Sequence, residues 1–170
     1  FLFGMALYFI GLGLGNEKDI TVNGLEAVRE CDAVYFENYT SILNCKKEDL
    51  EKLYGKKIIP AGRNLVEDDE NEIIESAKAK NVAFLVAGDP LAATTHFGLF
   101  LRAKKEGIKC YVIHNASIIS AVGITGLQVY KFGKTTSIPL QNDNVEAPYD
   151  ALKDNLRLGM HTLFLLDLNP

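Results

Sequence analysis

The chain has 170 residues, enough for one domain or one and a half and for a sizeable buried core. It is 48% hydrophobic and 24% charged with a net charge of -4, and it carries no basic run and no aromatic-basic interleaving, so a nucleic-acid groove is excluded. Its apolar stretches are strand-length, short of the roughly 20 residues that a membrane-spanning helix needs.

The first of these stretches, residues 6–12, reads as a buried strand and runs into Gly11-Leu12-Gly13-Leu14-Gly15. So many glycines let the backbone approach a ligand closely. The loop is like a dinucleotide fingerprint, and Glu37 ends the next strand where a ribose-binding acid sits. However, Asn16 occupies the third glycine position and residues 16–20 delay the helix, which leaves no helix N-terminus beside the loop for a pyrophosphate. Two readings stay open, a loop that serves only the turn and a loop that holds a ligand.

Apolar and turn signals then alternate in the manner of an open, mainly parallel α/β sheet of five strands flanked by helices. Strands are expected at 33–37, 57–60, 82–87 and 110–113. Helices are expected at 22–30, 47–53, 67–79, 97–106 and 118–123. Thr21 is the start signal of the first helix, Thr94 or Thr95 that of the helix from 97, and Gly107 marks its stop. The acidic run 67–70 suits a helix N-terminus, where the macrodipole favours carboxylates, better than a metal site.

The strand 82–87 breaks at Gly88-Asp89-Pro90. Glycine admits a sharp bend, proline fixes the next φ, and aspartate adds an anionic acceptor at a strand's carboxyl end, so this segment is expected as the floor of a small-molecule pocket. Asn115-Ala116-Ser117-Ile118 follows the next strand at the same edge. Ser117 there is either a plain helix cap or part of a backbone site for a carboxylate or amide.

His96, His114 and His161 show no metal-ligand spacing and are expected as satisfied structural histidines. Cys31, Cys45 and Cys110 are widely spaced, without CxxC, and read as buried thiols of a reducing compartment. Ser117 lacks the surroundings of a hydrolase nucleophile.

Residues 126–135 mix aromatic and polar side chains in the manner of a loop, a domain junction or a substrate-facing surface. Beyond them a strand is expected at 137–140, a helix at 149–158 and a strong strand at 161–167. The last needs sheet neighbours that the following residues do not supply. The expected organisation is therefore an N-terminal α/β domain over 1–136, a linker over 137–148 and the beginning of an incomplete second α/β domain over 149–170.

Taken in order, Leu7 to Leu14, Asp19 to Thr21, Glu37 to Ser41, Gly88 to His96, His114 to Ile118, Gly126 to Gly133 and Gly159 to Leu163 resemble the diphthine synthases, within the tetrapyrrole-methylase-like family of S-adenosylmethionine-dependent methyltransferases. The resemblance covers nearly all of residues 5–168. It implies a cytoplasmic homodimer of two α/β domains, with S-adenosyl-L-methionine in the cleft between them and no metal. It carries the donor contacts to Leu14, Asp89, Ala92, Ser117, Ile118 and Leu166, and valine often stands in the family where this chain has Ala92. The implied acceptor is translation elongation factor 2, methylated on the amino group of a modified histidine during diphthamide formation, with a methyl ester added in eukaryotic members. No catalytic side chain is implied. The other expectations left open are a related methylase acting on a corrin or on ribosomal RNA, and an inactive fragment that serves only as a dimerising domain.

Overall fold

Alternation along the first apolar run sets the architecture. Ala6, Tyr8, Ile10 and Leu12 pack into one hydrophobic cluster, while Leu7 and Phe9 pack into a second on the other side of the sheet. The computed structural model describes residues 5–68, 71–141 and 144–168.

Five strands, β1 (Ala6–Gly11), β2 (Ala33–Glu37), β3 (Ile59–Ala61), β4 (Val82–Val86) and β5 (Lys109–Ile113), form an all-parallel sheet in the order β3-β2-β4-β1-β5. Pro60, which has no amide to donate, lies on the edge strand β3, where a proline is tolerated. The connections from β1 to β2 to β3 run toward one edge, and those from β3 to β4 to β5 run back. Right-handed crossovers therefore put the two pairs of helices on opposite faces. Accordingly, Ala27 and Val28 of α1 (Val22–Glu30) and Leu50 and Tyr54 of α2 (Lys47–Tyr54) join the first cluster. Ile73, Ile74 and Ala77 of α3 (Asn71–Ala79) and Leu99 and Ala103 of α4 (Phe97–Lys105) join the second.

The fold class and the five strands agree with the sequence expectation, with differences at element ends. Thr21 caps α1 by accepting a hydrogen bond from Gly24 N at 3.0 Å. For α4 the cap position falls on His96, and the Thr94 hydroxyl instead donates back to the Pro90 carbonyl at 2.9 Å. Helix α3 begins at Asn71, later than expected, after a π-type turn over Asn64–Asp68. The acidic run 67–70 lies outside the residues whose side chains are described. Cys31 belongs to the core, and burial pushes its thiol up to about 12.

The chain divides into two compact units, Phe1–Ile118 and Ile119–Pro170. Helix α5 (Ile118–Ala121) begins at the last residue of the first unit and is followed in the second by short 3-10 turns at Val122–Thr125 and Val129–Lys131. Then β6 (Thr136–Ile138), α6 (Ala147–Arg157) and β7 (Phe164–Leu166) form a parallel β-α-β unit. The strand expected at 137–140 is thus found at Thr136–Ile138, paired with β7, at the start of the stretch expected as a linker. Buried Asn155 of α6 fixes this unit: its side chain accepts from Lys134 N at 2.9 Å and donates to Lys134 O and Thr162 Oγ1, each at 2.9 Å. Residues 126–135 are tied to the tail in the same unit, through Gly133 N to His161 O and His161 N to Lys131 O, both 2.9 Å.

His96 departs from the expected satisfied histidine. It is 1% exposed, packs edge-on against Phe84 and Tyr39, and neither ring nitrogen meets a hydrogen-bond partner. Burial lowers its pKa from 6.5 to about 4, and the Pro90 carbonyl beside it opposes the shift without reaching hydrogen-bond geometry. The unfolded chain therefore binds a proton between these values that the folded chain refuses, so stability falls as pH falls through that window. Unfolding by urea is expected to show a loss of about 3 kcal/mol between pH 7 and pH 4 from this residue, and His96→Phe is expected to flatten that part of the profile. Truncation of the fully buried Phe84 to alanine is expected to cost about 3–5 kcal/mol in the same measurement.

Candidate functional site

Because every strand of the five-stranded sheet is parallel, the segments after β1, β4 and β5 leave from one edge, and these three strands are neighbours. In open α/β sheets this carboxyl edge is where ligands bind. Three sets of hydrogen bonds fasten the segments to one another.

The first is main-chain. Gly13 N donates to Gly88 O at 3.2 Å and Gly88 N donates to Gly13 O at 2.7 Å, an antiparallel bridge between the glycine loop and the Gly-Asp-Pro loop. Glycine is required where the two loops cross. A Cβ on Gly11 would lie 2.5 Å from the Gly88 carbonyl and 2.8 Å from Asn115 Cβ.

The second set centres on Asp89, which is 7% exposed. Its Oδ1 accepts from Leu91 N at 2.9 Å, and its Oδ2 accepts from the His114 ring at 2.7 Å and from Asn115 N at 3.2 Å. Because the carboxylate is the acceptor, the proton of that contact sits on His114 Nδ1. Burial pushes the Asp89 carboxyl up, but the Leu91 amide, the His114 ring and the Asn115 amide together hold it below the ordinary range.

Asn115 supplies the third set. Its Nδ2 donates to Gly11 O at 2.9 Å and to Asp19 O at 3.0 Å, while its Oδ1 accepts from Ala116 N at 2.7 Å. Each pair of the three loops is thus linked directly. From the other side, Asn44 N donates to Gly15 O at 2.8 Å, and Gly15 N donates to Asp19 Oδ2 at 2.7 Å.

The structure brings Leu14, Asp89, Ala92, Ser117 and Ile118 to this edge of the first unit. Leu14 is 41% exposed, Ala92 is half-buried with its amide directed at Asp89 O, Ser117 is buried and Ile118 is partly exposed. Between them Gly88 has φ +75°. A Cβ placed there would meet Leu14 Cδ2 and Ala116 O, each at 3.7 Å. Those are ordinary contact distances, so glycine is favoured there by its left-handed backbone and not by crowding. Leu166 lies in β7 of the second unit and is 69% exposed.

His114 was expected as a structural histidine, while Gly11 and Asn115 lay within the two candidate segments without a role of their own. Asn115 bonds to partners 104 and 96 positions away, which no local pattern announces. Glu37, which stood in the place of a ribose-binding acid, is fully buried and turned onto its own loop, accepting from Tyr39 N at 2.7 Å and Thr40 Oγ1 at 2.8 Å. A separate open hollow of about 380 Å³, lined by Glu17, Lys18, Asp49, Lys52 and Leu53, has mixed charge and takes no residue from the loops after β4 and β5. Among the described residues no group of three or more His, Cys, Asp or Glu is placed to hold a metal ion, and no helix is long and apolar enough to cross a membrane.

Removing the Asn115 side chain strips bonds from Gly11 O, Asp19 O and Ala116 N. Asn115→Ala is therefore expected to lower unfolding stability by about 1–3 kcal/mol in denaturant titration, and an unchanged midpoint would show that the loops hold without it.

The pattern of the Tetrapyrrole (Corrin/Porphyrin) Methylases matches residues 6–167. Diphthine methyl ester synthase of Homo sapiens is 56% identical over 164 residues, covering 95% of this chain and 58% of that protein. The same-named protein of Saccharomyces cerevisiae is 52% identical over 165 residues, covering 95% of this chain and 55% of that protein. A crystal structure of a diphthine synthase superposes with a TM-score of 0.92 at 45% identity, covering 97% of this chain and 65% of that one. The chain thus spans less than two thirds of the length of these relatives. On the match across its sheet and its three linked loops, the chain belongs to the tetrapyrrole (corrin/porphyrin) methylase family.

Proposed function

We propose that the three-loop edge binds S-adenosyl-L-methionine and that the protein methylates the modified histidine of translation elongation factor 2 in diphthamide formation, as a cytoplasmic homodimer. The observation that carries this reading is the set of three loops at the carboxyl edge of the parallel sheet, fastened to one another by Gly13–Gly88, Asp89–Asn115 and Asn115–Gly11 hydrogen bonds before any ligand arrives. An exposed Leu14 side chain beside main-chain groups suits the flat, largely neutral nucleoside of that donor. The relatives' printed name extends the reading to the acceptor, since a methyl ester synthase must present a carboxylate oxygen to the methyl group.

When bound, the donor supplies an electrophilic methyl carbon on a sulfonium, whose thioether leaves without a proton. The chain's own contribution is positioning, which by itself accounts for large accelerations when reacting atoms are held in line. Leu14 supplies apolar contact, and the main chain of Ala92, Ser117 and Ile118 supplies polar contact. Asp89 already accepts three protein hydrogen bonds, and a carboxylate has about four acceptor positions, so one is left for the donor. A carboxylate acceptor, ionised at neutral pH, needs no general base.

Asp89→Ala is expected to weaken S-adenosylhomocysteine binding by roughly tenfold or more in calorimetry of the full-length protein, because it removes the acceptor and releases two loops together. Unchanged affinity in a variant with unchanged circular dichroism would count against the site.

A further inference from the structure

Of the three hydrogen bonds that Asp89 accepts, two fall on Oδ2, from the His114 ring and Asn115 N, and one falls on Oδ1, from Leu91 N. The acceptor position left for a ligand is therefore on Oδ1, and His114 stands on the other oxygen of the same carboxylate. His114 directly follows β5, whose last residue, Ile113, pairs with Ile10 beside Gly11. It thus leaves the carboxyl edge next to the glycine loop. The Asp89 side chain is 8% exposed, whereas that of His114 is 70% exposed. The ring is held at one atom, Nδ1, 2.7 Å from Asp89 Oδ2, and among the described residues Nε2 meets no hydrogen-bond partner.

An ionised carboxylate accepts and cannot donate, so it selects the neutral imidazole with its proton on Nδ1 and its lone pair on Nε2. The lone pair is thereby placed on the nitrogen that nothing in the protein occupies. If Nε2 takes up a proton, the imidazolium keeps its Nδ1–H against the Asp89 carboxylate, which stabilises the new charge. His96, the other histidine of the first unit, is 1% exposed, and its burial opposes protonation. We infer that His114, oriented by Asp89, is the general base that accepts a proton from the acceptor amine. This rests on the function proposed above, with the modified histidine methylated on its amino group.

An aliphatic amine is protonated at neutral pH and has no lone pair to give. A proton passes from the ammonium nitrogen to His114 Nε2, leaving a neutral amine and an imidazolium. The amine nitrogen uses the freed pair to form the N–CH3 bond, and the S–CH3 bond breaks with its pair returning to sulfur. The exposed ring returns its proton to water, ready for another transfer while the product still carries an N–H. Ester formation differs, because a carboxylate oxygen brings its own lone pair and no proton moves. His114 has no part in that step.

In the full-length protein, with precursor elongation factor 2 as acceptor, His114→Asn separates base from structural support. The asparagine amide keeps an N–H donor for Asp89 and has no basic nitrogen. Mass spectrometry before and after mild alkali, which removes ester methyls and leaves amine methyls, counts both kinds of transfer in one sample. His114→Asn is expected to slow amine methylation at least tenfold more than ester formation, with S-adenosylhomocysteine affinity within about threefold of the wild type. Independently of activity, nitrogen-15 spectra of the labelled wild-type protein are expected to show the neutral His114 ring as the Nδ1–H tautomer. Amine methylation at the wild-type rate would overturn the inference. So would equal slowing of the two transfers, which would make the ring a structural support, or an Nε2–H tautomer. A wild-type protein that binds no S-adenosylhomocysteine would remove the underlying function, and the inference with it, whatever the tautomer.

Discussion

One carboxylate governs the edge on which function rests. Asp89 gathers N–H groups from its own loop and from the segment after β5, while the adjacent Gly88 closes a main-chain bridge to the glycine loop. These segments have no helix or strand partners of their own at that point, so their polar backbone groups need satisfaction from elsewhere. Asp89 and Asn115 provide it. The loops are consequently arranged by the fold itself, which lowers the ordering cost that a ligand would otherwise meet on binding.

The same device recurs at other places where regular structure stops. Glu37 accepts from the backbone and hydroxyl that follow β2, and Asn155 replaces missing ladder bonds around Lys134 and Thr162 in the second unit. Each is a buried polar side chain whose hydrogen bonds offset its desolvation. His96 is the contrast, since its neighbours Phe84 and Tyr39 supply aromatic edges and no hydrogen bond. It fills space between the Gly-Asp-Pro loop and the β2 exit, and it does so uncharged.

Much of the sheet was legible in the sequence because its strands are fully apolar and bounded by turn residues. The first helix could be placed end to end because Thr21 announces its start. The Gly-Asp-Pro segment announced a site because its three residues are each justified by a bend at a strand's carboxyl end. What escaped was whatever depends on distant partners. Asn115 looked like a minor residue before Ser117, and His114 like a structural histidine, because their partners belong to β1 and β4 loops far away in sequence. The strand expected at 137–140 is found at Thr136–Ile138, where pairing with Phe164–Leu166 holds it, one residue earlier than its apolar content alone indicated. The α4 cap was misplaced onto threonines because one of them, Thr94, turns back to Pro90.

The central claim is that a methyl donor rests against three fastened loops chiefly through their main chain, and backbone amide spectra of the labelled protein titrated with S-adenosylhomocysteine test it most directly. The account predicts the largest shifts at Leu14, Gly88, Ala92, Ser117 and Ile118, with the amides of Gly55 and Gly107 unmoved. Shifts gathered instead around Lys18, Asp49 and Lys52, with the Gly88 amide unmoved, would contradict it.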